Sequence, residues 1–136
     1  MSIQDQESFL SNIHPFEVLT PSQMAMCIQH MDIAYYPKDT ILISPEKIPE
    51  HFFIIIKGSV YEYSNENIVV MDYQHEDSFD SNSLIYGKCD HTFKVNEELI
   101  CYEIEKKTFL SLIEKNQEFK DFFLKDLVNK IQSLKD

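Results

Sequence analysis

Arginine is absent from this 136-residue chain, so its 12 basic residues are all lysines, set against 23 acidic ones for a net charge of −11. That balance argues against nucleic acid as a partner, because phosphate backbones are gripped by clustered Lys and Arg. It disfavours an anionic membrane surface for the same reason. The missing arginine also removes the planar fork that holds a phosphate through two parallel bonds; lysine supplies only a point charge. Long apolar runs are lacking as well. The longest, Phe52 to Ile56, has five residues and cannot span a bilayer. Met1-Ser2-Ile3-Gln4-Asp5 has neither the basic nor the apolar region of a signal peptide. Cysteine is scarce and odd in number, and Cys27, Cys89 and Cys101 form no CxxC. This pattern predicts a reducing, cytoplasmic setting. The histidines His14, His30, His51, His75 and His91 show no metal-ligand spacing with them, so no metal site is expected. With no Ser-His-Asp set, paired-carboxylate motif or glycine-rich phosphate loop, the chain reads as a non-enzyme.

What is present is a patterned, globular sequence of one domain, 1–136. Phe9, Leu10, Ile13, Phe16 and Leu19 suggest a short helical piece interrupted at Pro15. A clearer helix follows. Thr20 as N-cap, Pro21 in the first turn and Gln23 closing a capping box precede Met24, Cys27, Ile28 and Met31 at helical spacing. N-terminal helices are therefore expected over 3–31. From Ile33 the pattern turns to short β segments: 35–36, 40–43, 51–57, 59–64, 68–73, 92–95 and 99–104. Pro37, Pro45, Pro49, Gly58 and Ser64-Asn65-Glu66-Asn67 separate them. Gly58 is expected in a tight hairpin, where a positive φ is needed. Strands this short and closely spaced predict a mainly β fold with flanking helices, either a sandwich or a jelly-roll barrel (a double-stranded β-helix) over 33–104. Phe52–Ile56 should be covered on both faces. Helix returns over 106–135, with one stripe at Phe109, Leu112 and Ile113. A broader one holds Phe119, Phe122, Phe123, Leu127, Val128, Ile131 and Leu134. Phe119 and Phe123 are expected to anchor this last helix on the roll. Leu127, Ile131 and Leu134 should meet a partner, either a second copy or a following domain.

Three blocks carry a family resemblance: Tyr36-Pro37-Lys38-Asp39-Thr40-Ile41-Leu42, Phe53-Ile54-Ile55-Ile56-Lys57-Gly58-Ser59-Val60, and Asp77-Ser78-Phe79 with Leu84-Ile85. In this order and spacing the chain resembles the cyclic-nucleotide-binding superfamily over roughly residues 9–134. The resemblance implies a β-roll whose short cassette takes the ligand's cyclic phosphate. The candidate ligand-binding residues are then Phe79, Asp80, Ser81, Asn82, Ser83, Leu84, Lys88, Cys89, His91 and Thr92. Asp39, Glu76 and Asp80 stand where such domains commonly have glycine, and Asp tolerates the left-handed backbone. Ser81 stands where the family has the glutamate that accepts from the ribose. Cys89 and Asp90 are the residues nearest the phosphate-binding arginine's place.

A charge-assisted hydrogen bond contributes about 1.5–3 kcal/mol, so losing the arginine alone weakens binding by roughly 10- to 100-fold. Asp80 and Asp90 add like-charge repulsion if a phosphate lies near them. The expected function is a regulatory, signal-sensing module with a degenerate phosphate cassette, serving as an input domain of a larger signalling protein. A cyclic nucleotide is the implied ligand, bound weakly at best, and no other cofactor is called for. The alternative is a working cyclic AMP or cyclic GMP receptor that uses Lys88 and backbone amides. Ser83-Leu84-Ile85-Tyr86-Gly87-Lys88-Cys89 and Glu97-Glu98-Leu99-Ile100-Cys101-Tyr102 give a narrower likeness. They are similar to the N-terminal module of bacterial signalling proteins that carry a CBS-domain pair and a putative nucleotidyltransferase region.

Overall fold

A computed structural model describes residues 3–79 and 81–125. The chain forms two compact units: a helical one from residues 1–30 and 107–136, and a β unit, Met31–Lys106.

The helical unit begins with α1 (Ile3–Ser11), a 3-10 turn (Phe16–Val18) and α2 (Pro21–Gln29). The expected capping box is formed. Thr20 Oγ1 accepts from the Gln23 amide at 3.2 Å while Gln23 Oε1 accepts from the Thr20 amide at 3.0 Å, with Pro21 in the first turn. Met24, Cys27 and Ile28 are buried on one face as their spacing requires. Met31, read as the last member of that stripe, instead opens the first β-strand, because His30 caps the helix one residue earlier. After the β unit come a helix at Lys106–Lys115 and a last helical segment over 117–125. The carboxamide of Asn116 joins these pieces. It donates to Val18 O at 3.0 Å and Gln23 Oε1 at 2.9 Å, and accepts from the Phe119 amide at 3.0 Å. Phe119 and Phe123 are buried, and their ring partners include Phe16 and Phe109 of this same unit. Leu127, Ile131 and Leu134 lie outside the described residues. No helix among the described residues is long and apolar enough to cross a membrane.

Among the described residues the β unit has six antiparallel strands: β1 (Met31–Tyr36), β2 (Ile41–Ile43), β3 (His51–Tyr63), β4 (Val69–Tyr73), β5 (Ser78–Phe79) and β6 (Thr92–Glu105). β3 and β6 pair from His51 opposite Glu105 to Tyr63 opposite Thr92. At one end β1 flanks β6 and β5 flanks β3; at the other, β2 flanks β6 and β4 flanks β3. The register between β3 and β6 slips three times between Ile55 and Val60, and bulges of this kind bend a strand and increase its twist. Side chains from both halves then share one core. Phe53, Ile55, Phe79, Leu99 and Cys101 from one half pack with Ile43, Val60, Phe93 and Val95 from the other. This is the predicted β-roll, reaching two residues further at its start, to Met31.

Four segments expected as separate strands are thus two long ones. Gly58 does not turn a hairpin. It sits at a bulge inside β3 with φ 99°, where an added Cβ would meet the backbone oxygen of Glu98 at 2.1 Å. The sequence signal for a residue with positive φ was sound, but the chain continues into renewed pairing with β6. Phe52, Phe53, Ile54 and Ile55 are all buried, in keeping with cover on both faces. Asp39 and Glu76 have the left-handed backbone expected of glycine positions, at φ 73° and 71°. Their amides bond to Val95 O at 2.8 Å and Ile55 O at 2.9 Å, which fixes both turns on the roll.

Candidate functional site

The cassette follows β5 and is held inside the β unit. Phe79 closes β5, and residues Ser81–Tyr86 form a short helix, α3. The helix was not foreseen; its six residues give too short a period to register. Asp80 lies outside the described residues, and for Ser81 and Asn82 only the backbone is described. Leu84 is fully buried, and Ser83 is buried with it. Gly87 has φ 77° and its amide bonds to Ser83 O at 2.8 Å, closing the helix. Lys88 is exposed and pairs with no carboxylate among the described residues. Thr92, half-buried, starts β6 opposite Tyr63.

Phe79 does not present its ring to solvent. It stacks on Phe53 at 5.3 Å and on Phe93 at 5.6 Å, with interplanar angles of 6° and 16°. Tyr73 completes the group, 5.5 Å from Phe79 and 6.1 Å from Phe93. Phe53, Phe79 and Phe93 belong to the core of the roll, with Tyr73 packed against it.

Cys89 is 9% exposed, and its Sγ donates to His91 O at 3.0 Å. The side chain at this position is therefore directed at the protein's own backbone. Two residues on, His91 Nδ1 meets Glu62 Oε2 at 2.5 Å, and Tyr73 Oη donates to Glu62 Oε1 at 2.7 Å. Glu62 is 8% exposed. A carboxylate so buried is tolerable only when its oxygens are bonded, and both are. Sequence reading named Cys89 and His91 as candidates and did not name Glu62. Strict alternation from buried Val60 would have pointed it inward; the flanking Tyr61 and Tyr63 drew attention away.

The roll holds a second arrangement of the same kind. Glu103 on β6 accepts from the hydroxyl of Tyr36 and lies 3.9 Å from His51 Nε2. Burial, the hydrogen bond to Glu103 and its charge raise the Tyr36 phenol well above the ordinary range. Burial also pushes the Cys101 thiol up to about 12, with Glu103 adding to it, and pushes Cys27 up to about 12. Such thiols stay protonated and unreactive at neutral pH. No group of His, Cys, Asp and Glu among the described residues is arranged to hold a metal ion.

The sequence profile described as "Cyclic nucleotide-binding domain" matches residues 33–116. No curated protein sequence matches the chain. Among solved structures, it is similar to the sensor domain of the transcriptional regulator DNR from Pseudomonas aeruginosa. The TM-score is 0.79 at 17% identity, covering 91% of each chain. It is also similar to the regulatory domain of Toxoplasma gondii PKA crystallised with cAMP. There the TM-score is 0.82 at 16% identity, over 93% of this chain and 50% of that one. A third similar structure is the regulatory subunit of a cAMP-independent protein kinase A from Trypanosoma brucei. Its TM-score is 0.70 at 14% identity, over 79% of this chain and 40% of that one. The chain thus spans about half the length of that Toxoplasma regulatory domain. At these identities the likeness concerns the fold.

Proposed function

Because the chain belongs to the cyclic nucleotide-binding domain family, we propose that it is a regulatory sensor module whose phosphate cassette is closed to the family's usual ligand. The observation that carries this reading is Cys89. By resemblance it is, with Asp90, one of the two residues nearest the place of the phosphate-binding arginine, and here its sulfur is buried and donates to His91 O. Glu62 puts a buried carboxylate on the other side of His91, where a cyclic phosphate would meet like charge. Phe53, Phe79 and Phe93 pack together in the core of the roll, with Tyr73 against them. The fold leaves the ligand open, since similar structures include a cAMP-bound regulator and one described as cAMP-independent. The module serves as an input domain of a larger signalling protein, in keeping with the Toxoplasma and Trypanosoma chains, which extend well beyond the part it matches.

Titration calorimetry with cyclic AMP tests this directly. The expected result is no saturation at micromolar concentrations; tight stoichiometric binding would sink the reading. Asp80→Gly, Ser81→Glu and Cys89→Arg together should raise the affinity by 10-fold or more, about the worth of one bidentate arginine contact. A second reading, a working receptor built on Lys88 and backbone amides, is favoured by the exposure of that lysine, which pairs with no carboxylate among the described residues. It predicts wild-type binding that Lys88→Ala abolishes.

A further inference from the structure

Strand β4, laddered along β3, turns the side chain of Tyr73 into the roll. Val69, Val70, Met71 and Asp72 are exposed, and among the described residues β4 pairs with β3 alone. Tyr73 turns inward, and its ring lies against both ends of the cassette: Phe79 just before it and Phe93 just after it. Its hydroxyl donates to one oxygen of Glu62, whose other oxygen meets the His91 ring within the cassette. We propose that Glu62 is a positioning residue that ties cassette segment 87–92 to strand β4, so that displacing either one loosens the other.

The physical basis is a shared buried acceptor. Glu62 lies 8% exposed on β3, between a donor from the cassette and a donor from β4. Hydrogen bonds on one carboxylate polarise each other in a low-dielectric interior, so the two are not independent. Withdrawing either donor leaves a buried charge short of a partner, which favours rearrangement of the other. The rings act in the same sense, because Phe79 and Phe93 frame the cassette and both abut Tyr73. A movement of the cassette would then be felt at the exposed apolar residues Ile68, Val69, Val70 and Met71. This inference goes beyond the proposed function and holds whether or not a ligand binds.

Residue-resolved amide hydrogen exchange on the whole chain tests it. His91→Gln perturbs the cassette side, Tyr73→Phe removes one oxygen from the β4 side while keeping the ring, and Glu62→Gln keeps shape but drops the charge. The expected result is reciprocal: His91→Gln speeds exchange in 69–73, and Tyr73→Phe speeds it in 88–92, each by about tenfold, with β1 amides unchanged. Glu62→Gln should speed both segments, and the double variant should exceed either single one by less than their product. If each substitution alters only its own segment, the tie does not exist. A uniform acceleration that includes β1 marks general destabilisation and overturns it as well. Tyr73→Phe decides the matter by itself should His91→Gln not fold.

Discussion

Gly58 and the two deeply buried thiols show how much single positions decide here. At Gly58 a methyl group would fall 2.1 Å from the Glu98 oxygen, a backbone atom with no rotamer to yield, at a φ of 99° that L side chains rarely adopt. Gly58→Ala should therefore cost on the order of 3 kcal/mol, combining backbone strain with overpacking, as measured by urea unfolding. Cys27 and Cys101 have an ordinary value of 9.0 and are raised to about 12. The folded state thus holds their protons above pH 9 while the unfolded chain gives them up, so stability falls as pH rises through 9 toward 12. The slope should approach about 1.4 kcal/mol per pH unit for each thiol. Unfolding measured at pH 8 and pH 10 should show that loss, and Cys27→Ala with Cys101→Ala should flatten it. Above pH 10 Tyr36, also raised, adds a further decline of the same sign.

At the scale of elements, local chemistry was the legible part. Thr20, Pro21 and Gln23 announced α2. These signals depend on residues within a few positions of one another. Continuity of β3 through Gly58 was not legible, because a bulge and a hairpin ask for the same positive φ. Glu62 was hidden for another reason: its partners Tyr73 and His91 lie 11 and 29 residues away. Asn116 was likewise silent, since two of its three bonds reach back more than 90 residues, to Val18 and Gln23. Asn116→Ala should cost about 2 kcal/mol, a lost N-cap plus two partly buried bonds. Asn116→Asp should recover the cap portion, and thermal unfolding of the two variants separates the contributions. The side chains of the cassette resisted prediction because the resemblance supplied their expected direction. Cys89 and Phe79 both point into the protein instead.

For the molecule as a whole, edge strand β4 governs behaviour in concentrated solution. It lacks lysine and proline, the usual guards of such an edge, and relies on Asp72 and a bulge at Val70. Ile68 and Met71 are at least half exposed there. At neutral pH mutual repulsion from a net charge of −11 opposes edge-to-edge association through this strand. That protection vanishes near pH 4.8, the isoelectric point. Light scattering across an acid titration should then show turbidity peaking near this pH, and salt should promote it at intermediate values by screening the repulsion. Val70→Lys should remain clear where the wild type clouds. Colloidal stability of this protein is in this sense borrowed from its charge, because the outermost strand is left chemically open to another like itself.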